Sequence, residues 1–263
     1  MSIETPRPAV IAVAHTLRKI REQRGLSLRH VARMAKISAS KLSGLETGGR
    51  RQNITLVAYL LGIIGAPIET LNHILEIADH GNEPDFLDPS GRDENLLRAA
   101  FEQLSRHVFE WSPSLFPRTL RSAEYSDAIQ KSGLPEGDPA VKGFIPAAAC
   151  TRPTGVSEPL HSFLLGEAAT RPGVCSPEVL YNQIEEVATV SKLMPISISV
   201  VPASYCSTGL VEPFTLYEGH TGAIAVVVKH QRGVAFLTNK ISLKHYTKTA
   251  QWLRSGRTDN PWP

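Results

Sequence analysis

The sequence predicts an all-α N-terminal domain of five helices followed by an α+β domain with an antiparallel sheet. Over the first 80 residues, apolar side chains recur every three or four positions, which is the helical period. Residues 81–92 are rich in Gly, Pro, Asp and Ser, a composition typical of a linker. In the last third of the chain the period changes to two, which indicates half-buried strands. We therefore expect domains at 1–80 and 93–263.

The first two predicted helices are short. Val10, Val13, Leu17 and Ile20 form the inward face of the first helix, which ends at Gly25. Ser27 is a good N-cap for the second, whose predicted inward residues are Val31, Ala32 and Met34.

Three further helices complete the predicted N-terminal domain. After a break at Lys36-Ile37, Ser38 caps a third helix with Leu42 and Leu45 inward, and Gly48-Gly49 stops it. Asn53 caps a fourth helix that runs to Ile64 and ends at Gly65, and Pro67 suits the first turn of a fifth. The buried stripe of that fifth helix is predicted to be Ile68, Leu71, Ile74, Leu75 and Ala78.

The C-terminal domain is predicted to begin with helices. A long helix starts at Asp93 as its cap and ends at Ser112-Pro113; its stripe is Leu96, Leu97, Ala100, Phe101, Leu104 and Val108. A shorter helix covers Ala123 to Lys131, and residues 132–159 have no assigned structure. Ser162 to Leu165 suit a short strand, and Ser176-Pro177 opens a helix to Lys192.

The alternating segments come next. They are Ile196–Val201, Val211–Glu218, Ala223–Lys229 and Val234–Thr238, with hairpin turns at Gly219–Gly222 and His230–Gly233. A last helix carries Leu243, Tyr246, Ala250 and Leu253, and residues 255–263 are expected to fray.

Composition excludes several classes of protein. With 42% hydrophobic and 20% charged residues, the 263-residue chain can bury a sizeable core. Cys150, Cys175 and Cys206 lie too far apart for a zinc or redox pair, so we expect a reducing cytoplasm and no metal or cofactor. Cys206 is either a redox sensor or a silent thiol. No signal peptide and no membrane span is recognisable.

Charge is unevenly distributed along the chain. Residues 1–52 contain eleven Lys and Arg against three acidic residues, a net charge of +8, whereas the other 211 residues carry −5. A basic head either meets a polyanion or is a solvated surface.

The stretch from Leu26 to Gly48 has the pattern of two crossing helices. A small residue, Ala32, permits a close crossing, and the second helix can then enter a DNA major groove about 12 Å wide. At its start, Ser38, Ser40, Lys41 and Ser43 can reach bases and phosphates, and the helix N-termini at Ser27 and Ser38 offer N–H groups to phosphates.

This stretch resembles the XRE, or lambda-repressor-like, helix-turn-helix family over about residues 10–80. The matching residues are Leu26, Ser27, Val31, Ala32, Ala35, Ile37, Ser38, Leu42, Ser43, Glu46 and Gly48. The resemblance assigns base reading to Ala39, Ser40 and Gly44, and the predicted DNA-binding set adds Arg29, Arg50 and Arg51. Lys36 stands where the family usually has a glycine of positive φ. Two of the three base-reading residues have almost nothing to donate, so we expect thin base readout.

From Glu94 onward the chain is similar to the DUF5753 domain of actinobacterial WhiJ-like regulators. The similarity rests on Leu115-Phe116-Pro117, Glu124-Tyr125, Phe163 to Ala169, Gln183-Ile184, Ile198 to Pro202 and Glu212 to Leu216. It implies a regulator that is often paired with a small partner protein, in an antitoxin-like or developmental role.

We therefore expect a dimeric DNA-binding regulator controlled through its C-terminal domain. The dimer contact is expected from the long helix after Asp93, the strand edge at Ile196–Val201 and the tail with Trp252 and Trp262. The first alternative is an antitoxin-like protein that mainly binds a partner. The second is an enzyme with a helix-turn-helix appendage; no catalytic set is recognisable, because Ser38 to Lys41 match S-x-x-K without its S-D-N and K-T-G companions.

Overall fold

The structure is a computed structural model, and it describes residues 7–49, 53–133, 159–206, 211–230 and 233–258. The N-terminal head consists of α1 (Pro8–Gln23), α2 (Leu28–Met34), α3 (Ala39–Glu46), α4 (Ile54–Ile64) and α5 (Ile68–Asp79). Arg50, Arg51, residues 134–158 and Trp262, all named above, lie outside the described residues.

The predicted helix ends of the head are confirmed by cap geometry. Ser27, Ser38 and Asn53 each accept a hydrogen bond from a backbone N–H of the first turn of their helix. Gly65 ends α4 in the left-handed conformation at φ 73°.

Two inward assignments in the head are wrong. Met34 is 45% exposed, because α2 ends there and only Val31 and Ala32 face the core. Ile68 is 68% exposed at the first turn of α5, and the buried residues of that helix are Ile74 and Ile77. Leu71, Leu75 and Ala78 of the predicted stripe are partly buried against the same core, so only Ile68 was assigned wrongly and only Ile77 was missed.

The segment predicted as a linker contains a strand. β1 (Asp85–Asp88) pairs antiparallel with the last strand, β7 (Gly233–Leu237), and Phe86 is buried. The acidic residues that suggested a loop have internal partners: Asp85 accepts hydrogen bonds from the backbone N–H groups of Thr238 and Asn239.

The predicted long helix of the body is too long. α6 (Glu94–Leu104) ends where Ser105 turns extended, and β2 (His107–Ser112) follows. Val108 continues the helical spacing by chance, whereas Phe109 and Trp111 are buried on the other side of the strand. The Asp93 side chain does not cap α6 but lies 2.9 Å from Nε2 of His73 on α5.

The sheet is mixed, not wholly antiparallel. Its order is β1-β7-β6-β5-β2-β3-β4, with β3 at Leu160–Gly166, β4 at Ile196–Val201, β5 at Phe214–Gly219, β6 at Gly222–His230 and β7 at Gly233–Leu237. The predicted meander β5-β6-β7 is confirmed, but β2 and β3, and β3 and β4, run parallel. Parallel neighbours need crossover segments. Those segments contain α7 (Ala123–Lys131) before β3 and α8 (Pro177–Leu193) before β4, both at the predicted places.

Head and body share one apolar core. Leu97 and Phe101 of α6 pack in the same cluster as Leu17 of α1 and Phe236 of β7. A second cluster lies under α7 and α8 on the same face of the sheet, and α9 (Lys240–Ser255) covers the opposite face. Within the described residues, no helix has both the length and the apolarity that crossing a membrane requires.

Candidate nucleic-acid interface

The two serine caps fix the starts of α2 and α3. The Ser27 Oγ accepts from the His30 N–H at 3.2 Å, and the Ser38 Oγ accepts from the Lys41 N–H at 3.1 Å. Both serines are exposed. Their hydroxyl acceptors are engaged in capping, so DNA would meet the hydroxyl protons and the remaining N–H groups of the first turn of α3.

The turn between the two helices has the predicted strained geometry. Lys36 adopts φ 53°, the left-handed region that residues with a Cβ rarely occupy. The Ile37 N–H donates to the Ala32 carbonyl at 3.0 Å, and Ala32 itself is buried. This turn brings α3 across α2 at the small residue that the sequence analysis selected.

A buried ion pair that the sequence analysis missed holds α3 against α1. Arg21 Nε lies 2.8 Å from Glu46 Oε1, and Arg21 NH2 lies 2.8 Å from Glu46 Oε2. Arg21 also donates from NH1 to the Leu26 carbonyl at 2.9 Å. The hydrogen bond to Glu46 raises the pKa of Arg21 despite its burial. The only sequence signal was Glu46 itself, a motif residue to which no role had been assigned.

The outward surface of α3 is small and weakly polar. Ser40 and Lys41 are exposed, whereas Ala39, Ser43 and Gly44 are half-buried. Ala39 also packs against the core of the head, which limits how much of its methyl group can reach a thymine.

Every exposed charge between residues 24 and 49 is positive. Glu46 is the only acidic residue there, and it is buried against Arg21. The exposed cations are Arg24, Arg29, Arg33, Lys36 and Lys41. Arg33 and Arg24 were not in the predicted DNA-binding set. The sequence indicated them only through the net positive charge of residues 1–52. These residues give the helix pair an unopposed positive surface.

The described residues offer no alternative site of metal chemistry. No group of three or more His, Cys, Asp or Glu side chains among them could hold a metal ion. Cys206 is buried, and burial raises the pKa of its thiol, which disfavours the reactive thiolate.

Two capped helices crossing at a small residue, with a positive outward surface, define a helix-turn-helix protein. Residues 12–74 match the helix-turn-helix domain family, which indicates DNA binding and a role in regulating transcription. Residues 97–256 match a domain of unknown function, DUF5753, and the chain belongs to this family. No curated protein and no solved structure matches the chain. Both resemblances drawn from the sequence motifs are thereby confirmed at the level of the domain families.

Proposed function

We propose that the protein is a cytoplasmic transcriptional regulator that binds double-stranded DNA with α3 in the major groove. The observation that carries the proposal is the unopposed positive surface around α2 and α3. Lys41 stands on the first turn of α3, and Arg29 and Arg33 stand on α2, all exposed. In this geometry the lysine and arginines contact phosphates, and Ser40 is the base-reading side chain.

Affinity in this proposal is mostly electrostatic. Ala39 and Gly44 have no polar side-chain atom, and Ser40 can make one hydrogen bond to a base edge. Each phosphate neutralised contributes a slope of about −0.9 to the dependence of log affinity on log salt. We therefore expect tight binding at low salt, with a preference for the protein's own operator near the lower end for specific regulators, about 10³.

Fluorescence anisotropy with the full chain tests this proposal. The labelled duplexes are the DNA upstream of the protein's own gene and an unrelated sequence of equal length. Lys41→Ala should weaken binding to both duplexes and reduce the salt slope by about one. Lys192→Ala, which removes an exposed lysine from α8, is the matched control and should change neither value. A salt-independent affinity, or equal effects of the two substitutions, would contradict the proposal.

We further propose that the body controls the head through α6. One side of this helix packs against α1, and its Arg98 lies over the sheet, 2.8 Å from Glu94 and 3.0 Å from the Thr215 hydroxyl. Close to Arg98 lies the Glu110 carboxylate; burial raises its pKa, and the positive charges of Arg98, Arg121, His161 and Arg118 oppose that rise. A charged cluster at the boundary between helix and sheet is a candidate site for a polar ligand. This arrangement supports control by a small ligand bound next to α6.

A homodimer is also part of the proposal, since two heads on a twofold axis would read half-sites one helical turn apart, about 34–36 Å. The body offers its edge strand β4, although Val200 already accepts a hydrogen bond from the Thr258 N–H at 2.9 Å. Trp252 is less available than the sequence suggests, because its ring stacks on Tyr205 with centroids 5.2 Å apart.

The thin base-reading surface favours a second candidate function. An antitoxin-like protein would bind a small partner protein as its main role and DNA only secondarily. The observation that favours this role is that Ala39 and Gly44, two of the three base-reading residues, are half-buried. The ratio of the affinities for the own and the unrelated duplex separates the two. A ratio below about 10³, the lower end for specific regulators, favours the partner-binding role.

A further inference from the structure

Three adjacent strands of the body bring a serine, a histidine and a glutamate into line. Ser162 Oγ on β3 lies 2.7 Å from His107 Nε2 on β2, and His107 Nδ1 lies 2.6 Å from Glu218 Oε2 on β5. The register places His107 directly opposite Glu218. Each pair is within hydrogen-bond reach, which is the order of nucleophile, base and orienting acid in hydrolases that use a serine. These residues are scattered along the chain, so no sequence motif announced them.

With a neutral imidazole, the protons of this relay have one consistent arrangement. Glu218 shares a hydrogen bond with His107, and the Arg254 guanidinium lies 3.2 Å away. These two contacts hold the pKa of Glu218 below its usual range, although burial raises it. An ionised Glu218 accepts the Nδ1–H of His107, which leaves Nε2 as an acceptor. The Ser162 hydroxyl therefore donates to Nε2, and His107 is placed to take that proton.

A fourth side chain completes the arrangement. Ser197 on the edge strand β4 donates from its hydroxyl to Ser162 Oγ at 2.9 Å. When Ser162 forms a bond to a carbonyl carbon, the oxyanion develops next to Ser162 Oγ, and the Ser197 O–H can turn to donate to it. Hydroxyl side chains serve as oxyanion donors in other hydrolases. Ser197 is exposed and Ser162 is half-buried, so the relay is open to solvent.

We propose that Ser162 is an acyl-accepting nucleophile and that the body slowly hydrolyses small, activated carboxylic esters. Ser162 Oγ bonds to the ester carbonyl carbon while its proton passes to His107 Nε2. The C–O bond to the leaving group then breaks, and the His107 imidazolium gives its proton to the departing alkoxide. A water molecule then attacks the acyl-serine carbonyl carbon while His107 Nε2 takes its proton. The bond between that carbon and Ser162 Oγ breaks, His107 returns the proton to Ser162 Oγ, and the carboxylic acid leaves.

Two features set the expected rate and substrate. The oxyanion has one neutral hydroxyl donor instead of a pair of backbone N–H groups, because Ser162 lies within a strand. Turnover is therefore slow and needs a good leaving group. Leu160 lies on the same face two residues before Ser162 and is 60% exposed, so a short acyl chain has an apolar contact. The activity goes beyond DNA binding and does not depend on it.

The full chain incubated with p-nitrophenyl acetate tests the proposal. We expect a burst of about one p-nitrophenolate per chain, followed by slow turnover, and an acetyl group on Ser162 in the peptide mass spectrum. Ser162→Ala should abolish both the burst and the adduct. Ser199→Ala changes a serine two residues along β4 from Ser197 and is the matched control, so its burst and adduct should match those of the unchanged protein.

The roles of the other residues have separate readouts. His107→Gln should slow acetylation by about 10²-fold or more, and Ser197→Ala should slow it while the protein melts at an unchanged temperature. Glu218 is a positioning residue, so Glu218→Gln should lower kcat with little change in KM. Ester hydrolysis without an acetyl group on Ser162 would assign the activity to surface imidazoles and overturn the proposal. So would acetylation of Ser162 at an unchanged rate in His107→Gln.

Discussion

The Arg21–Glu46 pair is expected to control the stability of the head, and Glu46→Gln tests this. The Glu46 side chain is 3% exposed and the Arg21 side chain 9% exposed, so the pair is shielded from water. A glutamine of the same shape keeps one acceptor, but its NH₂ group faces the NH donors of Arg21. The substitution leaves a buried guanidinium without its counter-charge.

The size of the effect follows from what Arg21 retains. Removing one partner of a buried ion pair costs about 3–5 kcal/mol. Arg21 keeps its hydrogen bond to the Leu26 carbonyl at 2.9 Å and a 3.4 Å contact with Glu22, which is half exposed. We therefore expect the free energy of unfolding to fall by an amount near the lower limit, about 3 kcal/mol. Glu22→Gln is the matched control, since its exposed pair with Arg18 is worth only about 0.3–0.5 kcal/mol.

Urea unfolding of the full chain measures both changes. Circular dichroism follows the helices of head and body together, and tryptophan fluorescence follows the body, which contains all three tryptophans. The two signals should move together in Glu46→Gln, because head and body share a core. A loss no larger than that of Glu22→Gln would refute the reasoning. A head transition separated from the body transition would show that the shared core does not couple them.

Three further outcomes are expected. Lys36→Gly should raise the free energy of unfolding by about 0.5–1 kcal/mol, because it relieves the left-handed residue, whereas Lys36→Ala should not; equal midpoints for the two would refute this. Burial, and then Arg18, lower the pKa of His15 below its unfolded value of 6.5. The free energy of unfolding should therefore be constant above pH 6.5 and fall as the pH drops below that value. His15→Gln should flatten that fall, and superimposable pH profiles of the two proteins would contradict the assignment. Sedimentation of the full chain at micromolar concentration should give a dimer, and a monomer would favour the partner-binding role.

Local signals in the sequence predicted the head well. Capping by Ser27, Ser38 and Asn53, and the left-handed turn at Lys36, each depend on a few neighbouring residues, and periodicity and side-chain chemistry report on such neighbours. The α7 helix and the final meander were found for the same reason.

Contacts between distant residues could not be read in this way. The helix predicted to continue through Val108 ends early because residues 107–112 form β2 in the middle of the sheet. No local pattern in the sequence indicates that strand. Arg21 and Glu46 lie 25 positions apart, and Ser162 lies 55 positions from His107. Judged from its sequence neighbours alone, each of these polar side chains would be assigned to the protein surface. Only the topology of the fold brings them together.

The core that α1 and α6 share has a consequence for how such regulators can be rebuilt. Many regulators are treated as interchangeable modules, in which one DNA-binding unit is exchanged for another at the connecting segment. Here a cut near residue 80 would uncover Leu97 and Phe101 of the body. A cut after Asp88 would also remove β1 from the edge of the sheet. A grafted head would have to bring an α1 surface that fits α6. New DNA preferences in this architecture are therefore more accessible through the outward residues of α3 than through exchange of the whole head.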